Sequence, residues 1–237
     1  MAAGAVATAL VVLIGSLLVG GGEGDDDGVP TTETSTIVPT TAPSVGTVVA
    51  HPLALTVLVN KHWRLPPGWE PPDLVEPNVP FTFAEPDPKR FLRQPAAVAL
   101  AGLFAAATEA GTPLAAVSGY RAEQTQADLY GLAVSQQGEV QADLHSARPG
   151  HSEHQTGLAM DVTSADGSCA VEECFGTSPA GIWVAAHAHE HGFIVRYPAG
   201  KEALTEYSYE PWHLRFVGIE VATMLTEQGL VLEQLPG

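Results

Sequence analysis

The stretch 150–162, GHSEHQTGLAMDV, combines metal-binding residue types with a strand-like pattern. His154 and Asp161 lie seven positions apart, with Gly157 between them. In TGLAMDV every second residue is large and apolar, which predicts a strand whose other face carries Asp161 away from the core. A turn at Gly157 would bring the imidazole of His154 over that face. The stretch therefore predicts two ligands of a metal site.

A catalytic zinc site takes three protein ligands and keeps a fourth position for water. The candidate third ligand is His213 in YEPWH, where Glu210 is placed to take a proton from that water. On a regular strand positions 210 and 213 face opposite sides. Pro211 cannot donate to a ladder, so it predicts a bend that turns both side chains to one site. Because a single histidine is more often a surface or core residue, spacing alone leaves this set a hypothesis.

Three further histidines, His187, His189 and His191, form a second candidate metal cluster. On a helix His187 and His191 share one face. However, no Glu follows His187 as an HExxH metalloprotease motif requires, and His189 points elsewhere. We interpret the triplet as a helix surface whose side chains complement the helix C-terminus.

Several motifs together match a known family. SEHQTGLAMD fits the pattern S-x-H-x-x-G-x-A-x-D of the VanY-type D-alanyl-D-alanine carboxypeptidases, zinc peptidases of the LAS group, and EPWH fits the E-x-x-H that completes their zinc site. The chain resembles this family from about residue 54 to residue 235, through LVNKHWRLPPGW, SGYR, RPGHSEH, HAHEHGFIVRYP and YSYEPWHLRF in the family's order. Agreement over separated motifs makes the resemblance more specific than any one of them.

The resemblance implies a role for each motif residue. It implies that Zn²⁺ is held by His154, Asp161 and His213. It also implies that Glu210 is the general base and that Arg121, in SGYR, lies over the site. The planar guanidinium of an arginine suits a carboxylate or the oxyanion of a tetrahedral intermediate.

Two more residues, Ser152 and Gln126, resemble family positions that touch the substrate or its terminal carboxylate. For these two the structural alternatives are a turn cap and an amide on a helix surface. The chain also departs from the family at Ala186, where an acid is expected, and at Glu206, where Gly is expected. Both departures lie outside the zinc set, so we expect them to affect loop shape and substrate preference rather than activity.

The resemblance implies a zinc metallopeptidase that hydrolyses the terminal D-Ala-D-Ala bond of peptidoglycan stem peptides outside the membrane. One alternative is a peptidase of the same scaffold that acts on a D,D-dipeptide, an L,D bond or an endopeptidase cross-link, a choice that pocket shape decides. Another is a non-catalytic wall-binding module. The presence of Glu210 argues against this, because a binding module has no use for a general base. We expect the enzyme to act as a monomer.

Helices and short strands that do not alternate regularly along the chain predict an α+β domain to position these residues, a single catalytic unit with helices flanking a small antiparallel sheet. Pro95 begins one predicted helix and Gly111 ends it, while Ser178 and Gly192 bound another. The predicted helices cover residues 95–110, 122–137, 139–145, 178–191 and 218–230. The predicted strands cover residues 54–60, 113–118, 158–162, 193–197 and 207–216.

Two segments precede this domain. Residues 1–22 contain no charged side chain and match the ~20 apolar residues of a spanning helix, which predicts a membrane anchor or a cleaved signal segment. Residues 23–50 are rich in Thr, Pro and acid and predict a disordered linker. Residues 51–237 form the predicted zinc carboxypeptidase domain, which we expect to lie outside the membrane, anchored or secreted.

Charge and cysteine content restrict the partners and the compartment. The chain has 27 acidic and 10 basic residues, a net charge of −17, which repels the phosphates of nucleic acid. Cys169 and Cys174 are separated by four residues, and in an exported chain such a pair predicts a short-loop disulfide. Free thiols are the alternative, and no additional soft ligands lie nearby to complete a zinc site.

Overall fold

The computed structural model describes residues 47–235, so the predicted anchor or signal segment and most of the linker lie outside the described residues. The strands are β1 (Thr47–Val48), β2 (Trp63–Arg64), β3 (Leu74–Val75), β4 (Leu92–Arg93), β5 (Leu114–Ser118), β6 (Ala159–Ser164), β7 (Phe193–Tyr197) and β8 (Glu210–Phe216). The α-helices are α1 (Gln94–Glu109), α2 (Glu123–Gln137), α3 (Glu139–His145), α4 (Pro179–His187), α5 (Glu202–Thr205) and α6 (Ile219–Glu227).

A four-stranded antiparallel sheet in the order β5-β6-β8-β7 organises the domain. The two strands predicted to carry the metal ligands, β6 and β8, are therefore neighbours in the middle of the sheet. Two short pairs, β1 with β2 and β3 with β4, lie outside it. The α+β class and the antiparallel sheet flanked by helices are confirmed.

One face of the sheet is apolar and packs on α1 and α4. Met160, Val162 and Leu214 are fully buried there, in one cluster with Leu100 and Leu103 of α1. Burying each such side chain contributes on the order of 1.5–3 kcal/mol. This face supplies the main core of the domain.

The opposite face is polar in its centre. Because successive side chains of a strand alternate between faces, Asp161 and His213 point away from the apolar core, together with the buried arginines Arg196 and Arg215. Ile194 on the same face packs in a smaller cluster with α6. Asp161 therefore faces away from the main core, as its alternation with large apolar residues predicts.

Proline, serine and glycine set the helix boundaries. Pro95 lies in the first turn of α1, and Gly111 follows that helix with φ of 79°. The side chain of Ser178 caps α4 by accepting a hydrogen bond from the backbone N–H of Gly181 at 3.0 Å. This helix is shorter than predicted, because α4 ends at His187 and a 3₁₀ turn continues the chain to residue 191.

The strand predicted over residues 54–60 is wrong. The segment forms turns and extended chain without a strand partner. Its Val57 and Val59 are buried in the core, so the apolar content reflects burial rather than sheet pairing. The carbonyls of Leu55 and Val57 instead accept hydrogen bonds from Arg215 Nη2 at 2.9 and 2.8 Å.

Glu206, which stands where glycine is expected, ends α5 with φ of 61°, in the left-handed region. Glycine adopts this conformation at the lowest cost, which accounts for the glycine expected at this position. The Glu206 carboxylate contacts His62, with 2.9 Å between Oε2 and Nε2. Ala186, the other departure, is exposed on α4.

The predicted disulfide joins Cys169 to Cys174, with an S–S length of 2.05 Å. It closes the loop that leads into a 3₁₀ helix at Glu173–Thr177. Within residues 47–235, no helix is both long and apolar enough to cross a membrane.

Gly181 provides a test of the packing between α4 and the chain before it. A Cβ added at Gly181 would overlap the carbonyl oxygen of Phe175 and lie 2.7 Å from its carbonyl carbon. We expect Gly181→Ala to lower the free energy of unfolding by about 1–3 kcal/mol, as measured by urea denaturation. Gly131 on α2 has nothing within 4 Å of the same added atom, so Gly131→Ala should stabilise by about 0.5–1 kcal/mol. Equal effects of the two variants would contradict this packing.

Candidate metal centre

Two irregularities in the sheet bring the candidate site residues together. Asp161 of β6 pairs with Ser118 of β5 on one side and with His213 of β8 on the other. The β5–β6 register shifts by one residue just before Ser118. In the β7–β8 pair, Tyr197 is opposite Glu210 whereas Val195 is opposite residue 214, so β8 carries two extra residues there. This bulge contains Pro211 and turns Glu210 and His213 to one side, as the proline predicts.

The three predicted ligands converge on one point. Nε2 of His154 lies 3.4 Å from Oδ2 of Asp161, and Nδ1 of His213 lies 3.0 Å from its Oδ1. The ligand atoms all lie within 4.8 Å of one another, and all three residues are buried. In the described part of the chain this is the group of His, Cys, Asp and Glu side chains that could hold a metal ion.

The position of His154 depends on two glycines. Its Nδ1–H donates to the carbonyl of Gly119 at 2.8 Å, which leaves Nε2 facing Asp161. A Cβ at Gly119 would lie 2.5 Å from the carbonyl oxygen of Phe91, so the chain can approach this closely only with glycine. Gly157 ends the 3₁₀ turn that contains His154, with φ of 67°, and leads the chain into β6.

The electrostatics of the triad fit a divalent cation. Burial lowers the pKa of His154 to about 3. Burial also opposes ionisation of Asp161, but the nearby His154 and His213 outweigh burial and lower the pKa of Asp161. Burial acts to lower the pKa of His213, but its hydrogen bond with Asp161 and contact with Glu153 raise it to about 9. Two imidazole nitrogens around an ionised carboxylate are a donor set that suits zinc.

Glu210 lies beside this triad. Its Oε2 is 3.9 Å from Nδ1 of His213. Burial raises the pKa of Glu210 to about 7, with the charges of Asp161 and Glu153 acting in the same direction and those of His213 and Arg121 against it. A carboxyl with a pKa near neutrality can both accept and return a proton at working pH.

Arg121 is held at the site by hydrogen bonds. Its Nη1 donates to Oε1 of Gln126 at 2.9 Å and its Nη2 donates to Oγ of Ser118 at 3.2 Å. Burial lowers the pKa of Arg121, while the charges of Asp161 and Glu210 raise it. Gln126 is the buried residue of α2 and also donates to the carbonyl of Ala147 at 2.7 Å. It is thus not a helix-surface amide.

Ser152 is 4% exposed and lines the same cleft. It precedes the 3₁₀ turn of His154, but its side chain makes no capping hydrogen bond there. The structural alternative of a turn cap therefore does not describe it. Its contact with substrate stays a prediction.

All seven predicted site residues line one cleft of about 360 Å³. Its walls also carry aromatic and loop residues that the sequence did not single out. These are Val171, Glu173, Tyr197, Tyr207, Tyr209 and Trp212. Val171 and Glu173 belong to the disulfide-closed loop and its 3₁₀ helix, so that loop forms part of the wall.

The second histidine cluster does not converge. The ring of His187 stacks on Trp183 with centroids 4.9 Å apart, and its Nδ1 lies 3.1 Å from a Glu190 carboxylate oxygen. These contacts suit the predicted surface at the end of a helix. His189 and His191 lie in the following 3₁₀ turn.

Sequence reasoning did not single out Glu153, which contacts a candidate ligand. Its Oε2 lies 3.5 Å from Nε2 of His213. A signal was present, because Glu153 is an acid next to His154 in a short motif that leads directly into a buried strand.

An α+β domain with a buried His-His-Asp set, an adjacent carboxyl and an open cleft defines a zinc peptidase. The family model described as VanY, D-alanyl-D-alanine carboxypeptidase, matches residues 89–219. YodJ of Bacillus subtilis (strain 168) is 46% identical over 186 residues, which cover 78% of this chain and 68% of YodJ. The chain belongs to the VanY family of D-alanyl-D-alanine carboxypeptidases.

Two solved structures agree with this assignment. The LD-carboxypeptidase LdcB is similar with a TM-score of 0.77 and 46% identity, over 80% of this chain and 88% of that one. A mutant of the vancomycin resistance D,D-pentapeptidase VanY from a VanB-type cassette, in complex with Zn(II), is similar with a TM-score of 0.62 and 30% identity, over 77% and 98%. The zinc-bound relative and the triad geometry together identify zinc as the cofactor.

The convergence of the triad predicts how zinc content responds to mutation. We expect purified protein to carry about one zinc ion per chain and His154→Ala to lose nearly all of it, as measured by inductively coupled plasma mass spectrometry. His187→Ala removes an imidazole from the cluster that does not converge, so it should keep its zinc. A His154→Ala protein with wild-type zinc content, or loss of zinc from His187→Ala alone, would contradict the assignment of this centre.

Proposed function

We propose that this chain is a zinc-dependent carboxypeptidase that removes a C-terminal D-alanine from peptidoglycan stem peptides outside the membrane. The observation that carries the proposal is the convergence of His154, Asp161 and His213 in a cleft that also contains Glu210 and Arg121. A disulfide favours an extracytoplasmic location, because thiols are kept reduced in most cytosols.

The proposal gives each ligand a defined atom. His154 binds through Nε2, Asp161 through its carboxylate and His213 through Nδ1, since these atoms face one another. A zinc ion held by this set supplies polarisation of a carbonyl group and acidification of water.

Glu210 is the general base in this proposal. It takes a proton from the attacking water and delivers it to the amine of the departing D-alanine. Its pKa of about 7 suits both steps, because proton transfer is most efficient when the pKa of the group lies near the working pH.

Arg121 binds negative charge on the substrate. The hydrogen bonds that Arg121 donates to Gln126 and Ser118 fix its guanidinium, so little side-chain freedom is lost when it meets the terminal carboxylate or the developing oxyanion. Gln126 positions Arg121 in addition to lining the cleft, and Ser152 contacts the peptide.

Two bonds are candidates for cleavage. The motif resemblance favours the terminal D-Ala-D-Ala bond. The LD-carboxypeptidase LdcB shares more sequence identity with this chain than the D,D-pentapeptidase does. This favours a bond between an L-amino acid residue and a C-terminal D-residue. Both reactions use the same zinc set, general base and terminal carboxylate.

A substrate panel tests the proposal and separates the two bonds. Purified protein is incubated with a pentapeptide that ends in D-Ala-D-Ala, a tetrapeptide that ends in an L,D bond, free D-Ala-D-Ala and a cross-linked dimer. We expect chelator-sensitive loss of a single D-alanine from the pentapeptide or the tetrapeptide, detected by mass spectrometry. Protein that binds wall sacculi but releases no D-alanine would instead support a wall-binding module.

The role of Glu210 makes a separate prediction. We expect Glu210→Gln to reduce kcat by about 10²–10⁴-fold, since the amide cannot accept the proton, while zinc content stays at the wild-type level. Glu202 is an exposed acid on α5, so Glu202→Gln is the matched control and should keep full activity. A Glu210→Gln enzyme that works at the wild-type rate would show that another group is the base.

A further inference from the structure

A buried acid on the polar face of the sheet is shared between two arginines and a candidate zinc ligand. The Glu153 side chain is fully buried. Its Oε1 accepts hydrogen bonds from Arg196 Nε and from Arg215 Nη1, both at 2.7 Å. Its Oε2 has no hydrogen-bond partner of standard geometry and lies 3.5 Å from Nε2 of His213, an atom that is buried and likewise unpartnered. Each of these two atoms is the natural partner of the other.

The arginines do not need this second oxygen. Glu233, in the last 3₁₀ turn, accepts from Arg196 Nη1 at 2.9 Å and from Nη2 at 2.6 Å. Arg215 donates its remaining groups to backbone carbonyls, including those of Leu55 and Val57. Two arginines and two carboxylates therefore balance in charge, with one oxygen of Glu153 left over. A side chain that served only as a counter-ion would have no reason to point that oxygen at an imidazole.

The two ring nitrogens of His213 face different partners. Nδ1 lies 3.0 Å from Asp161 and faces the point where the ligand atoms converge, while Nε2 faces Glu153. His154 shows the same division with the nitrogens exchanged, since its Nδ1–H donates to the carbonyl of Gly119. Each histidine thus has one nitrogen that faces the point of convergence and one that faces a protein oxygen, the arrangement usual for metal-binding histidines.

We propose that Glu153 is a positioning residue that accepts the Nε2–H of His213 and so leaves the Nδ1 lone pair free for zinc. Arg196 and Arg215 hold Glu153 as the carboxylate and fix its direction. Glu233 also binds Arg196 but does not contact His213. This inference rests on the proposed function, because it requires that His213 bind zinc.

The test compares two variants that each remove one carboxylate from the same arginine cluster. Glu153→Gln removes the acceptor of His213, whereas Glu233→Gln leaves His213 untouched. We expect Glu153→Gln to weaken zinc affinity by about 10–100-fold, measured by competition with a chromophoric chelator, and Glu233→Gln to change it by less than about 3-fold. Equal losses in both variants, or no loss in Glu153→Gln, would overturn the proposal.

A charge-balanced double variant distinguishes weaker zinc binding from misfolding. Arg215 has Glu153 as its charged partner, so Glu153→Gln/Arg215→Gln removes one opposite pair and leaves the Arg196–Glu233 pair intact. This double variant should fold, as judged by circular dichroism, and should still bind zinc more weakly than the wild type. Wild-type affinity in a folded double variant would overturn the proposal.

A spectroscopic readout separates positioning from stability. Cobalt(II) is substituted for zinc, and the visible ligand-field bands of the variants are compared. We expect the bands to shift in Glu153→Gln and in the double variant but not in Glu233→Gln. Only the first two variants remove the carboxylate that faces the ring of His213. If the wild-type protein bound neither metal, the proposed function would fail; if it bound zinc and Glu153→Gln gave unchanged affinity and spectrum, only the positioning role would fail.

Discussion

A carboxylate buried between two imidazoles constrains how the central strands of this fold can pair. Asp161 is 5% exposed, and a buried charge is costly unless partners compensate it. Its partners come from a 3₁₀ turn before β6 and from β8, where His213 is directly opposite Asp161. A slip of one residue between these central strands would move one of the two to the apolar face. The metal centre can therefore form only when β6 and β8 pair in the observed register.

As a result, the two faces of the sheet have different roles. The apolar face packs on α1 and α4 and supplies the main core, while the polar face accumulates charges that each need a partner. Asp161 has two histidines, and Glu153 has two arginines. Arg215 reaches the carbonyls of the 54–60 segment, which explains why that apolar run is held as a loop against the sheet rather than paired within it. Buried polar groups that are fully partnered give rigidity as well as cost.

The sequence predicts the parts of the site that depend on local chemistry. Gly157 indicates the turn beside His154, Pro211 indicates the bulge that brings Glu210 to His213, and alternation indicates the side of β6 that carries Asp161. The Glu153 cluster was not predictable in this way, because its arginines lie 43 and 62 positions further along the chain. No periodicity or spacing rule links such residues. Only the order of strands in the sheet, which is set by tertiary packing, places them side by side.

We expect the cleft walls, rather than the metal centre, to determine which peptide bond is cleaved. In the proposed mechanism zinc, the general base and the partner of the terminal carboxylate act on any scissile carbonyl placed before them, so they do not distinguish a D,D from an L,D bond. Discrimination requires surfaces that contact the residue that contributes that carbonyl, because its configuration is what differs. Val171 and Glu173 line the cleft, and both Cys169 and Val171 have φ of 57°, a strained conformation for a residue other than glycine. Such conformations persist only where the surroundings impose them, and here the disulfide closes the strained loop against the cleft.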